Sequence, residues 1–164
     1  MACTVLDGQP VAATGGDNGT IRIWNLDTPQ PRVRPVPDPP TRLKVNVCAI
    51  ACTQVNGLPV AVTRWEDDTD EMWEWELTSQ APVELRPTGH TGGVRAVACN
   101  QVHGRPMAVT GGRDATVRVW DMTSEEEAPF QIVPMPASAE AIALGEDGTL
   151  VVGTGNEVVV LEDH

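Results

Sequence analysis

The chain has 164 residues, 23 acidic and 11 basic side chains, and a formal net charge of −12. This length fits one domain with a sizeable core, and the negative charge argues against a nucleic-acid partner, because phosphates would be repelled over most of the surface. The sequence has no run of 18 apolar residues, and it does not begin with a basic stretch followed by an apolar block, so we expect neither a membrane partner nor a secretory signal.

Short apolar runs alternate with turn signals along the whole chain, and no segment holds a helical period for three turns. The sequence predicts strands in groups of four, four, four and three, each group an antiparallel meander. In chain order they are Ala2–Leu6, Pro10–Thr14, Thr20–Leu26, Arg32–Val36; Val45–Cys52, Pro59–Thr63, Glu71–Leu77, Val83–Leu85; Val94–Cys99, Pro106–Thr110, Thr116–Met122, Phe130–Val133; Ala139–Leu144, Thr149–Gly153 and Glu157–Leu161.

These groups are copies of one repeated unit. Residues 3–26 and 99–122 are identical at ten of 24 positions without a gap. Residues 52–63 share seven of 12 positions with the first segment and eight of 12 with the second, and residues 141–161 form a weaker copy. Four copies in 164 residues average 41 residues each, a period typical of repeat architectures.

The strand of residues 149–153 is apolar on both faces, which is typical of sheets that stack face to face. Four-stranded sheets stacked around an axis are the blades of a β-propeller. The sequence therefore predicts an all-β fold and a single domain. Its blades span about residues 1–37, 44–87, 89–135 and 138–164, and the last blade lacks its outer strand.

The third unit resembles a WD40 repeat in its Gly89-His90 pair, its turn residue Asp114 and its Trp120-Asp121 ending. In that family a histidine, a serine or threonine, an aspartate and a tryptophan form a hydrogen-bonded tetrad within one blade. The resemblance implies that His90, Thr110, Asp114 and Trp120 form this structural tetrad. The repeat style also resembles that of actinobacterial WD40 proteins, which implies a bacterial origin.

The other units depart from this pattern. The first has Asn18 at the aspartate position, the second has no Gly-His pair and ends in Trp75-Glu76, and the fourth has neither histidine nor tryptophan. We therefore expect one complete tetrad, with the remaining blades held by packing.

Closure of the ring is the open question. WD40 rings usually have seven or eight blades, which need roughly 290–340 residues at about 42 each, and they close when an N-terminal segment completes the last blade. Here Met1 leads directly into an inner strand, so we expect no such closure. Each bare blade face of about 500 Å² would cost roughly 12 kcal/mol. A second copy, a separate N-terminal half or a self-closed ring of four blades would each cover these faces.

The four cysteines are predicted to be free thiols. Cys3, Cys52 and Cys99 occupy one equivalent position in successive units, which indicates small core residues. Cys48 lacks the spacing of a paired metal ligand, and neither a disulfide framework nor a zinc site is expected. Free thiols are typical of a reducing cytoplasm, so we expect a cytoplasmic protein without metal or cofactor.

An acidic stretch with flanking tryptophans is the candidate partner-binding site. Its residues are Trp65, Asp67, Asp68, Asp70 and Trp73. Aromatic side chains are favoured anchors at interfaces, and the carboxylates would suit a partner with a basic surface. The alternative is a solvated hairpin tip with no binding role.

The sequence thus favours a non-catalytic protein-interaction or scaffold module, built as a half-propeller that completes a ring by homodimerisation or with another half. The alternative is a C-terminal fragment of a longer, regulatory WD40 protein. A propeller-type hydrolase is not expected, because Arg95 and Glu140 are the only charged residues on the predicted inner strands.

Overall fold

The computed structural model describes residues 1–16, 20–28, 34–35, 46–65, 71–79, 81–126 and 128–162. Within these ranges the chain forms 15 strands in four antiparallel sheets and no helix, which confirms the all-β fold. The described residues accordingly include no helix long and apolar enough to cross a membrane.

Each sheet is a meander in which neighbours in sequence are neighbours in space, and we name the sheets A to D in chain order. Their strands are, in sheet A, β1 (Ala2–Leu6), β2 (Gln9–Gly15), β3 (Ile21–Asn25) and β4 (Arg34–Pro35); in sheet B, β5 (Val47–Val55), β6 (Leu58–Trp65), β7 (Glu71–Glu76) and β8 (Ala81–Pro87); in sheet C, β9 (Val94–Val102), β10 (Arg105–Gly112), β11 (Thr116–Asp121) and β12 (Gln131–Pro134); and in sheet D, β13 (Ala139–Leu144), β14 (Leu150–Thr154) and β15 (Glu157–Leu161).

Tight turns join the first two strands of sheets A, B and C. Both residues of each turn have positive φ, at 52° and 75°, 52° and 79°, and 49° and 79°, the pattern of a type I′ hairpin turn. The pairs are Asp7-Gly8, Asn56-Gly57 and His103-Gly104. Because two residues suffice for the turn, β5 and β9 continue to Val55 and Val102. The sequence-based prediction ended both strands three residues earlier, at the cysteines.

The sheets pack face to face in chain order, with the inner strands β1, β5, β9 and β13 each next to the one before. Three apolar cores result, one between each pair of neighbouring sheets. Close approach requires small residues at the contact. A side chain at Gly111 would collide with Ala139 of the next sheet, and one at Gly15 would collide with Val47.

The four sheets form an open arc. In the described part of the chain, no strand of sheet A packs on a strand of sheet D in the way that neighbouring sheets pack. The described residues thus show no contact that closes four blades into a ring. Among these residues, sheets A and D each have a neighbouring sheet on one face only.

Candidate functional site

A chain of hydrogen bonds crosses sheet C and links the four residues of the expected tetrad. The indole Nε1–H of Trp120 on β11 donates to Oγ1 of Thr110 on β10 (3.0 Å). That Oγ1 lies 3.0 Å from Nε2 of His90, which precedes β9. His90 Nδ1 in turn lies 3.0 Å from Oδ1 of Asp114 in the β10–β11 turn. The structure thus brings all four side chains together.

The donor and acceptor groups determine where the protons lie in this series of hydrogen bonds. An ionised carboxylate only accepts, so the proton of the neutral His90 lies on Nδ1 and is donated to Asp114. Nε2 then accepts from the hydroxyl of Thr110, whose oxygen accepts from the indole N–H of Trp120. Burial lowers the pKa of His90 below its usual 6.5, and it outweighs the opposing effect of the Asp114 carboxylate. The imidazole is thus neutral and held in one orientation.

Asp114 also receives hydrogen bonds from outside the tetrad. Its carboxylate accepts from the Thr116 hydroxyl (2.7 Å) and from the Thr91 amide (3.0 Å). Partial burial opposes ionisation of Asp114, but these bonds outweigh it and lower its pKa. Arg118 joins the same network through its guanidinium, which donates to the carbonyl of Gly89 (2.8 Å).

Sequence reasoning missed Thr116 and Arg118 as members of this network. The signal was present, since both are among the ten positions identical between the first and third units, where they match Thr20 and Arg22. Identical residues in two copies indicate a repeat, but they do not by themselves indicate which side chains are in contact.

Sheets A and B keep only the tryptophan–threonine part of the network. Trp24 donates to Thr14 (2.8 Å), and Trp75 donates to Thr63 (2.9 Å). Asn18, at the aspartate position of the first unit, lies outside the described residues.

Sheet D keeps the threonine but not its partners. Val159 pairs with Val152 as Trp120 pairs with Ala108, so a valine stands at the tryptophan position. The hydroxyl of the buried residue Thr154 consequently has no hydrogen-bond partner among the described residues.

The acidic candidate site is only partly described. Asp67, Asp68 and Asp70 lie outside the described residues, and Trp65 belongs to β6. Trp73 is 8% exposed, and its ring stacks on that of Trp75 at 5.9 Å. This placement corrects the expectation that Trp73 is an exposed anchor, because both tryptophans point into the core between sheets A and B.

The outer face of sheet A is an apolar surface that no sheet covers within the ranges that the structure describes. Strand register places Cys3, Ala12 and Trp24 in one row of this face. A cavity of about 440 Å³ lies beside them, lined partly by Met1 and Leu26. Trp24 is half-buried, whereas its counterparts Trp75 and Trp120 are 1% exposed. We call this surface the A face.

The outer face of sheet D is apolar as well, and we call it the D face. Register places six small or branched residues on it: Ala141, Ala143, Val151, Gly153, Val158 and Val160. Val158 is 70% exposed and Val160 is 56% exposed. Exposed valines side by side at the end of a stack of sheets indicate an interaction surface.

The A face and the D face resemble the two sides of a contact that recurs inside the chain. Trp75 of sheet B packs against Val11 and Ile23 of sheet A. Trp120 of sheet C packs against Val60 and Val62 of sheet B in the same way. Each tryptophan therefore points to the preceding sheet, so the A face presents a tryptophan and the D face presents the aliphatic surface that would receive one.

The cysteines divide into two classes. Burial raises the pKa of the Cys52 thiol to about 12 and raises that of Cys99 above its usual value, and both side chains pack against core clusters. Cys3 and Cys48 are exposed. The expectation that Cys3 is a core residue is therefore wrong, because no sheet among the described residues covers it. Among the described residues, no three His, Cys, Asp or Glu side chains are grouped to hold a metal.

Comparison with known families agrees with this geometry. The family described as WD domain, G-beta repeat matches residues 1–25 and 83–121, which contain the first three strands of sheet A and of sheet C. Two segments of the chain are thus similar to WD40 repeats. A search of curated proteins gives no match.

Proposed function

We propose that the chain is a non-catalytic protein-interaction scaffold, a half-propeller whose two end faces pair with those of a second copy to complete a ring of eight blades. WD40 repeats indicate a protein-interaction module. The observation that carries the proposal is the match between the A face, with Trp24, and the D face, with Val158 and Val160.

A second copy supplies what both faces lack. In a two-fold dimer the A face of each copy meets the D face of the other, so one contact is made twice and the ring closes. Each of these contacts repeats the arrangement of Trp75 on sheet A and of Trp120 on sheet B. At about 25 cal/mol for each Å² of apolar surface, covering about 500 Å² on each face stabilises the pair by roughly 12 kcal/mol per face before association costs.

A non-catalytic role is supported by the inner strands. Arg95 on β9 and Glu140 on β13 are the charged side chains of the four inner strands, and they pair with each other at 3.2 Å. Glu140 also accepts a hydrogen bond from Ser138, which, ahead of the effect of Arg95, lowers the pKa of Glu140. A carboxylate that is paired and ionised in this way is poorly suited to general-acid chemistry at neutral pH.

The thiol of Cys3 reports directly on this proposal. It lies on the A face and is exposed in a single chain, whereas a second copy would cover it. With Cys48→Ser, and with Cys52 and Cys99 protected by burial, Cys3 is the one thiol expected to react quickly with an alkylating reagent. We expect its alkylation rate to fall at least tenfold as protein concentration rises through the dimer dissociation constant.

A matched pair of variants distinguishes dimer formation from other causes of slow alkylation at Cys3. Val160→Lys places a charge on the D face and should keep Cys3 reactive at every concentration. Ile132→Lys changes a residue of similar exposure, 52% against 56%, on β12 and away from both end faces, and should keep the concentration dependence. The proposal would be contradicted if Cys3 stayed reactive at all concentrations in the protein that keeps Val160.

A further inference from the structure

In the described ranges, sheet D has three strands whereas each of its neighbours has four. In sheets A, B and C the outermost position is held by β4, β8 and β12, respectively. In sheet D the outermost strand is β15, which pairs with β14 on one side. In the described residues no strand pairs with its other side. An edge of this kind presents free backbone N–H and C=O groups, which form a template for another strand.

An apolar groove lies beside this edge, between sheets C and D. It encloses a cavity of about 400 Å³ whose wall includes Val119, Val133 and Leu161, all three half-buried. Phe130 stands at its mouth and is 66% exposed. The groove lies where side chains of a fourth strand of sheet D would pack on sheet C.

The outer strands of sheets A, B and C indicate which kind of sequence fits the fourth position of sheet D. Each of them ends on a proline: Pro35 in β4, Pro87 in β8 and Pro134 in β12. Proline has no backbone N–H, so it is accepted where one edge of a strand faces solvent. In β12 the proline follows Ile132 and Val133, and Val133 faces the core between sheets C and D.

Acidic residues stand at both ends of the edge. Glu157 begins β15 and Glu162 follows it at the wall of the groove, and both are exposed. The chain as a whole carries a net charge of −12. Basic residues on an incoming segment would therefore be attracted to this edge.

We propose that the β15 edge binds an extended segment of a partner protein as a fourth strand of sheet D. The segment has alternating apolar residues, a proline at its end and basic flanking residues. Its backbone pairs with β15, and its apolar side chains fill the groove lined by Val133 and Leu161. This site lies within one chain, so it goes beyond the proposed ring and does not depend on it.

A peptide taken from the chain itself is the probe. It carries the sequence of residues 128–136, which includes β12, with two lysines and a fluorophore added at its start. We expect saturable binding by fluorescence anisotropy, with slower hydrogen exchange at the β15 amides when the peptide is present. A peptide N-methylated at alternate residues should bind at least tenfold more weakly, because it cannot pair along the edge.

Two variants locate the binding. Leu161→Lys in the groove and Phe130→Lys at its mouth should each weaken binding at least tenfold, and the exposed position of Phe130 keeps that variant folded. Val151→Lys, on the D face but on β14 and not on β15, should leave peptide binding unchanged while it disrupts pairing of copies, so the two proposals fail separately. Absence of saturable binding, equal binding by the N-methylated peptide, or β15 amides already protected without peptide would overturn this proposal.

Discussion

Sheets C and D have the same topology over three strands but are stabilised in different ways. Sheet C is tied together by a directional chain of hydrogen bonds from Trp120 to Asp114. Sheet D keeps a threonine at the same place, Thr154, but its hydroxyl is buried and has no partner in the part of the chain that the structure describes. The comparison teaches that the polar network is dispensable for forming a blade of this shape, provided that apolar packing on the next sheet is retained.

The apolar packing of sheet D comes from one side only. Leu150 and Val152 are buried against Val109 and Val117 of sheet C, whereas Val158 and Val160 on the other face are exposed. Sheet C is covered on both faces and carries the network in addition. We infer that sheet D is the less stable of the two and owes its order mainly to sheet C.

The same substitution at two equivalent threonines sharpens this comparison, and Thr110→Val has the largest expected effect. It leaves the Trp120 N–H and His90 Nε2 without partners in a buried site. Since each of these two buried unpaired groups costs about 1–3 kcal/mol, the free energy of unfolding should fall by about 2–6 kcal/mol.

Thr154→Val makes the same isosteric change where no bond is lost. Removing a buried, unpaired hydroxyl should leave the free energy of unfolding unchanged or raise it by about 1 kcal/mol. Urea unfolding of both variants at one protein concentration measures the two effects. Losses of equal size at the two positions would mean that the hydroxyl of Thr154 has a partner and that the two sheets do not differ.

Acid should lower the free energy of unfolding through the buried histidine of the sheet C network. The pKa of His90 is lowered in the folded state, so the unfolded chain takes up a proton first as pH falls through about 6.5. The free energy of unfolding should therefore be largest above pH 6.5 and decrease toward pH 5, by at most about 1.4 kcal/mol per pH unit.

His90→Gln removes this titration and serves as the test. Urea unfolding at pH 7 and at pH 5.5 should show a smaller difference for the variant than for the natural chain. The same difference in both proteins would contradict a buried, neutral His90 as its source.

A smaller effect, a gain in stability, is expected from a substitution in the β10–β11 turn next to the network. Ala115 has φ of 56°, a left-handed conformation that costs a residue with a side chain about 1–3 kcal/mol, and the first unit has Gly19 at the matching position. Ala115→Gly relieves this strain but adds freedom to the unfolded chain, so we expect a net gain of about 0.5–1 kcal/mol.

Thermal unfolding at fixed concentration measures this change, with Ala143→Gly as the control. Ala143 lies on β13 of sheet D without a positive φ, so its replacement should only destabilise. A loss of stability at both positions would mean that the turn is not strained.

Much of the fold and part of the site were predictable from the sequence. Period-two alternation and turn residues gave the strands, because both are local properties of the chain. Thr110 and Trp120 could be assigned to the tetrad because the third unit resembles a WD40 repeat.

What the sequence could not predict depends on neighbours in space. Alternation tells which residues share a face of a strand, but not whether another sheet covers that face. Trp73 was therefore expected on the surface and lies in a core, whereas Cys3 was expected in a core and is exposed. The groove beside β15 is formed by residues that belong to two sheets and are remote from each other in sequence, such as Val119 and Leu161. No local sequence pattern predicts such a groove.

The molar mass of the natural chain in solution tests the central claim most directly. Size-exclusion chromatography with light scattering, at concentrations from micromolar upward, should give twice the chain mass of 17.5 kDa, with no larger species because a two-fold ring leaves no free end face. A mass of 17.5 kDa for a folded, soluble chain at every concentration would contradict the account, since it would mean that Trp24 and Val158 need no partner.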